Sequence, residues 1–297
     1  MINYAAFRAW TEMQKRTNNT VVALSIGTHL AERELARPHP IGTRAGDVLA
    51  GVTRAERLDV SAVKAEEVVR SAAADLAFLA IPQIVALHIE LMVGTLEECQ
   101  AFPGLVTPHK NGMPVDKWYV PDLAKATRFR GTATVADRLM EFCVTLRNCI
   151  MHGAGRVDDK LVKKWVNLPA SAKTRWENVA GRPFTYTRVN LRPALGWGEI
   201  QATLAVTKES AGEINQRMVQ ALSREQWADV IARDYRTLSP RRFHSTSLEK
   251  PGREGVDGID RARPARVLLR LQSHASTYYQ PLGMTLDELH AGRERIL

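Results

Sequence analysis

Val135, Leu139, Phe142, Leu146 and Ile150 recur at three- and four-residue steps. That spacing predicts a helix from about Thr132–Thr134 to His152, with one apolar stripe that must be buried against other elements. Similar periodicity runs through most of the chain. Ala6, Trp10 and Met13 predict a first helix over residues 2–17, and residues 20–36 suit a second. Ser61 is placed to cap a long helical pattern that passes Pro82 and continues to about residue 102; the proline should kink or break it. Asp158 and Asp159 sit where a helix over VDDKLVKKWVNL starts, and the helix dipole favours carboxylates there. A further helix is expected from about Glu209 to Tyr235, and two short terminal ones over 265–276 and 285–297.

Between these lie stretches of other character. Residues 38–51 and 103–121 are rich in proline and turn-forming residues and read as loops, the second a long connection. Residues 183–206 are β-branched and aromatic, with alternation in IQATLAV, which predicts a short hairpin. Residues 236–264 are rich in arginine and glycine and poor in apolar side chains, as in a linker or an extended arm. The fold class that follows is mainly α, with a small β excursion near 184–206 and a basic C-terminal extension. The expected division is 1–59 (N-terminal helices and loop), 60–235 (helical core domain) and 236–297 (extension).

Lys and Arg total 41 against 32 Asp and Glu, a net charge of +9 that is unevenly placed. Residues 156–198 hold nine basic and three acidic side chains, and residues 236–270 hold nine and four. Local basic excess suits a polyanion such as RNA, because each neutralised phosphate releases counterions; the plain alternative is a solvated basic face. The longest apolar stretch, Leu76 to Val93, is interrupted by Pro82, His88 and Glu90. A bilayer span needs about 20 mostly uninterrupted apolar residues, so no membrane segment is expected, nor a signal peptide. Cys99, Cys143 and Cys149 form no Cys-x-x-Cys pair, which argues for a reducing, cytoplasmic setting and against a zinc ribbon.

The segment richest in chemistry is Leu146–Arg156, LRNCIMHGAGR. On a helix Asn148 and His152 are four residues apart and share a face, with Arg147 beside them. Glycines follow His152, so the helix ends there and its unpaired carbonyls favour a positive side chain. Arg147-Asn148-x3-His152 followed by glycine resembles the signature of the HEPN superfamily, in which an arginine and a polar residue precede a histidine late in an amphipathic helix. The resemblance covers about residues 60–235 by pattern, and only the six-residue motif and its surroundings are specific.

The resemblance implies an antiparallel helical bundle and a homodimeric, metal-independent endoribonuclease of toxin or defence type, with no cofactor. The two motif helices would face each other across a composite cleft. Catalysis would fall to Arg147, Asn148 and His152. A ribose 2′-hydroxyl attacks its own phosphate while His152 moves protons, Arg147 stabilises charge on the phosphate, and Asn148 orients His152 or donates to the phosphate. Arg156, Lys160, Lys163 and Lys164 would hold the RNA backbone. An antitoxin or other regulatory protein is an expected partner. The rival is a non-catalytic module of the same type that binds a nucleotide, RNA or a partner protein.

Other residues carry two readings. His88 and Glu90 form either a satisfied buried pair, or Glu90 supports the motif helix. Trp165, Trp176 and Trp197 either pack or stack on bases. Cys143 and Cys149, six apart beside apolar neighbours, read as core.

Overall fold

The computed structural model describes residues 1–52, 54, 57, 59–102, 133–153, 155–186, 191–239 and 262–297, with the side chains of 262–266 excepted. The expected loop at 103–121 and most of the basic stretch after 239 lie outside these residues. Those described are mainly helical, and among them no strand occurs beyond an isolated bridge between Arg44 and Ser61.

In chain order the helices are α1 (Ala5–Leu35), α2 (Ala45–Val48), α3 (Ala62–Gln100), α4 (Val135–His152), α5 (Asp159–Val166), α6 (Ala170–Ala180), α7 (Trp197–Ala221), α8 (Arg224–Leu238), α9 (Ala262–Tyr278) and α10 (Leu286–Ile296), with a 3-10 turn at Gln280–Leu282. The chain divides into two compact units. One comprises Met1–Thr11, Glu90–Thr132 and Ala211–Leu297, and the other Glu12–Ile89 and Ala133–Ser210. The expected boundaries after residues 59 and 235 each fall inside one of these units.

Several expectations are corrected. The hairpin near 184–206 is absent among the described residues: from Trp197 onward the chain is the helix α7, while 187–190 lie outside them. The alternation in IQATLAV is seven residues of a longer period, in which Ile200, Thr203, Leu204, Thr207, Ala211, Ile214 and Met218 are buried at helical spacing. Glu199 in the first turn of α7 is buried and accepts Nε–H and Nη2–H of Arg182, both at 2.9 Å, where the helix dipole also favours a carboxylate. Gly198 lets this end pass so close to the Ala180 carbonyl that a Cβ would overlap it.

The helix expected over 209–235 is two helices. The chain breaks before Ser223, whose side chain caps α8 in a reciprocal box with Gln226. α1 is one helix rather than two. Pro82 does not break α3; Ile81, Ile84, Val85 and Leu87 around it are all buried, and packing on this scale outweighs a lost backbone bond.

α3 is also long and apolar enough to cross a membrane by length and composition, with a mean hydropathy of 2.0 in its most apolar window; half of that window is buried inside the protein. The interruptions at Pro82, His88 and Glu90 therefore do not exclude a span by composition. Burial of this kind is also what a core helix shows.

Unit by unit, the cores are distinct. In the unit that holds α4, Phe142 meets Trp165, Trp176 and Phe184 with ring centroids 5.0 to 5.1 Å apart, so α4, α5 and α6 share one aromatic centre. In the other unit the C-terminal helices are docked. Val267, Leu271, Ala275, Tyr279 and Leu289 are buried, and Asp234 of α8 accepts hydrogen bonds from Arg8, His274 and Tyr279.

Candidate active site

α4 starts and stops where its sequence dictates. The Thr134 hydroxyl accepts Asp137 N–H at 3.1 Å, and the Asp137 carboxylate accepts Thr134 N–H at 3.0 Å. At the other end Gly153 N–H and Gly155 N–H both reach the Cys149 carbonyl, at 3.0 and 3.3 Å. Gly155 takes a left-handed φ of +72° with Phe78 where a Cβ would stand, so the turn into α5 requires glycine. Asp158 then caps α5, its Oδ1 accepting Leu161 N–H at 2.8 Å.

This return of the chain opens a cleft of about 510 Å³. Thr145, Asn148, Cys149 and His152 of α4 form one wall. Asp158, Lys160 and Lys164 form the other. Four of the residues singled out from the sequence, Asn148, His152, Lys160 and Lys164, thus meet in one place. His152 and Lys160 are exposed, and Asn148 and Lys164 are half-buried.

Arg147, Arg156 and Lys163 do not line this cleft. Arg147 turns aside, as the helical step between positions 147 and 152 requires. Its Nη1–H donates to Asn148 Oδ1 at 2.9 Å, and its Nε is buried with no hydrogen-bond partner among the described residues. The guanidinium is therefore coupled to the cleft through the amide of Asn148. Arg156 and Lys163 are exposed.

Glu90 is exposed while His88 is fully buried, so the expected buried pair is not formed; His88 instead pairs with Ser210, Nε2 to Oγ 3.1 Å. Trp165 and Trp176 are buried in the aromatic centre, and Trp197 lies half-buried with its ring centroid 6.3 Å from that of His29. Cys143 and Cys149 are buried free thiols. Burial pushes Cys143 up to about 12 and raises Cys149 as well. Both stay protonated and unreactive near neutrality.

Sequence reasoning missed Glu141 and Thr145. They lie on the same face of α4 as Asn148 and His152, at steps of three and four, which is the signal that would have found them. Glu141 accepts Lys164 Nζ–H at 2.7 Å. Among the described residues no group of three or more His, Cys, Asp or Glu side chains is placed to hold a metal ion.

No family model, curated protein or solved structure matches the chain.

Proposed function

We propose that the cleft at the end of α4 cuts RNA without a metal, as an endoribonuclease of HEPN type acting as a homodimer. The observation that carries this is the meeting of Asn148, His152, Lys160 and Lys164 around one cleft. Those groups supply the parts of phosphodiester transfer. His152 takes the proton from the 2′-hydroxyl or gives one to the leaving 5′-oxygen. Lys160 and Lys164 attract the phosphate, and Asn148 donates an N–H to it or orients the histidine. Arg147, bonded to Asn148 Oδ1, fixes which way that amide points. The second subunit would bring a second copy of the motif helix to the cleft. A toxin or defence role and capture by an antitoxin follow from the resemblance alone.

One observation favours the rival, a binding module that does not cut: Arg147 does not reach the cleft that His152 lines. His152→Ala separates the two. Under the ribonuclease reading, cleavage of a mixed RNA pool disappears while RNA retention on a filter stays within about twofold, since one exposed contact is lost. An intact protein that retains RNA and never cuts it favours the rival.

A further inference from the structure

Glu141 has no part in the scheme above, yet it is tied to the cleft. Its side chain is only 12 % exposed, and its Oε2 accepts from Lys164 Nζ at 2.7 Å. The same oxygen lies 3.9 Å from Arg138 Nη1. Two cations thus share one carboxylate, and the trio retains a positive charge.

An ion pair between exposed side chains contributes little, but this one differs in placement. Glu141 stands one turn before Thr145 and two before Asn148, on the face of α4 that lines the cleft. It reaches across to α5, 23 residues later. A free lysine swings on a flexible four-carbon stem and loses that freedom when it grips a ligand. Lys164 has lost much of it already. Its ammonium carries three N–H donors, of which one is spent on Glu141, leaving two where the side chain lines the cleft.

We propose that Glu141 is a positioning residue: it holds Lys164 so that its remaining donors meet a backbone phosphate of RNA entering the cleft. This deepens the ribonuclease reading and rests on it for the identity of the polyanion.

The test uses the full-length protein and a 2′-O-methyl RNA oligonucleotide, which lacks the attacking hydroxyl and cannot be cut. Binding is followed by fluorescence anisotropy at several salt concentrations, with folding checked by circular dichroism. Lys164→Met weakens binding about tenfold and lowers the salt dependence by about one phosphate contact. Glu141→Gln, nearly isosteric, weakens binding about threefold when Lys164 is present, the scale of ordering one long side chain. In the Lys164→Met background it has no further effect, because a residue acting through another is silent once that partner is gone. The assignment is overturned if Glu141→Gln tightens binding, if its effect persists without Lys164, or if the wild type does not bind the oligonucleotide. Parallel assays on cleavable RNA keep the two readings apart. Coupled binding effects without any cleavage sink the ribonuclease reading alone, whereas cleavage with Lys164→Met binding unchanged sinks this one alone.

Discussion

Among the described residues Arg147 reaches the cleft only through its neighbour: its Nη1 donates to Asn148 Oδ1 across 2.9 Å, and Asn148, not Arg147, lines the wall beside His152. The two side chains therefore act as a unit. Asn148→Ala and Arg147→Ala should each lower the cleavage rate of a fluorogenic RNA by about tenfold or more, the cost of losing an oriented donor at a developing charge. The double variant should fall little further than either one. Independent, multiplying losses would show that the arginine reaches the phosphate by another route.

The aromatic centre sets where α5 stands relative to α4, and so the width of the cleft. Trp176 is fully buried, 5.1 Å from Phe142 and edge-on to it. Trp176→Ala should cost about 3–5 kcal/mol in urea unfolding. A loss below about 1 kcal/mol would mean that this centre does not hold the three helices together.

His88 gives the protein a pH dependence of known sign. Burial lowers it from 6.5 to about 4, against the opposing pull of Asp137. Below about 6.5 the unfolded chain takes a proton that the folded protein refuses until about 4. Stability is thus fully present above pH 6.5 and falls across that window, by about 1.4 kcal/mol per pH unit or about 3 kcal/mol in all. Urea midpoints at pH 7, 5 and 4 check this, and His88→Gln should flatten the slope. An unchanged slope in the variant would place the proton uptake elsewhere.

Asp234 ties the N-terminal segment to the C-terminal helices. Burial alone would raise its carboxyl; hydrogen bonds from His274, Arg8 and Tyr279 outweigh that and bring it down to about 2. Its stabilisation is present above the ordinary carboxylate value of 3.8 and lost only as pH falls through about 2. Asp234→Ala leaves the half-buried guanidinium of Arg8 without this partner and should cost about 3–5 kcal/mol. Truncation after Tyr235 removes His274 and Tyr279 as well, and should unfold this unit rather than trim a free arm. A well-folded truncation product, judged by proton NMR dispersion, would contradict that docking.

Much of the helical framework was legible because its signals are local. The 3.6-residue stripe of α4, the carboxylates at the start of α5 and the Ser61 cap, whose hydroxyl accepts Lys64 N–H at 3.2 Å, all act within a few residues, and each lies where the sequence places it. The failures came where local pattern competes with packing. IQATLAV alternates like a strand, but the helical burial pattern from Ile200 to Met218 overrides it. Pro82 signals a break that burial of its neighbours prevents. The site was legible as far as residues on one helix face could be counted. The link from Glu141 to Lys164 depends on how α5 folds back, which no spacing within α4 encodes, whereas the turning aside of Arg147 follows from the helical step itself.

The most direct test of the central claim is the chemistry of the cut ends. The purified full-length protein is incubated with RNA in excess EDTA, and the products are resolved by mass spectrometry. Metal-free transfer by His152 predicts 2′,3′-cyclic phosphate and 5′-hydroxyl ends, and no cleavage by His152→Ala. Cleavage that requires an added divalent cation, or that His152→Ala carries out undiminished, would contradict it.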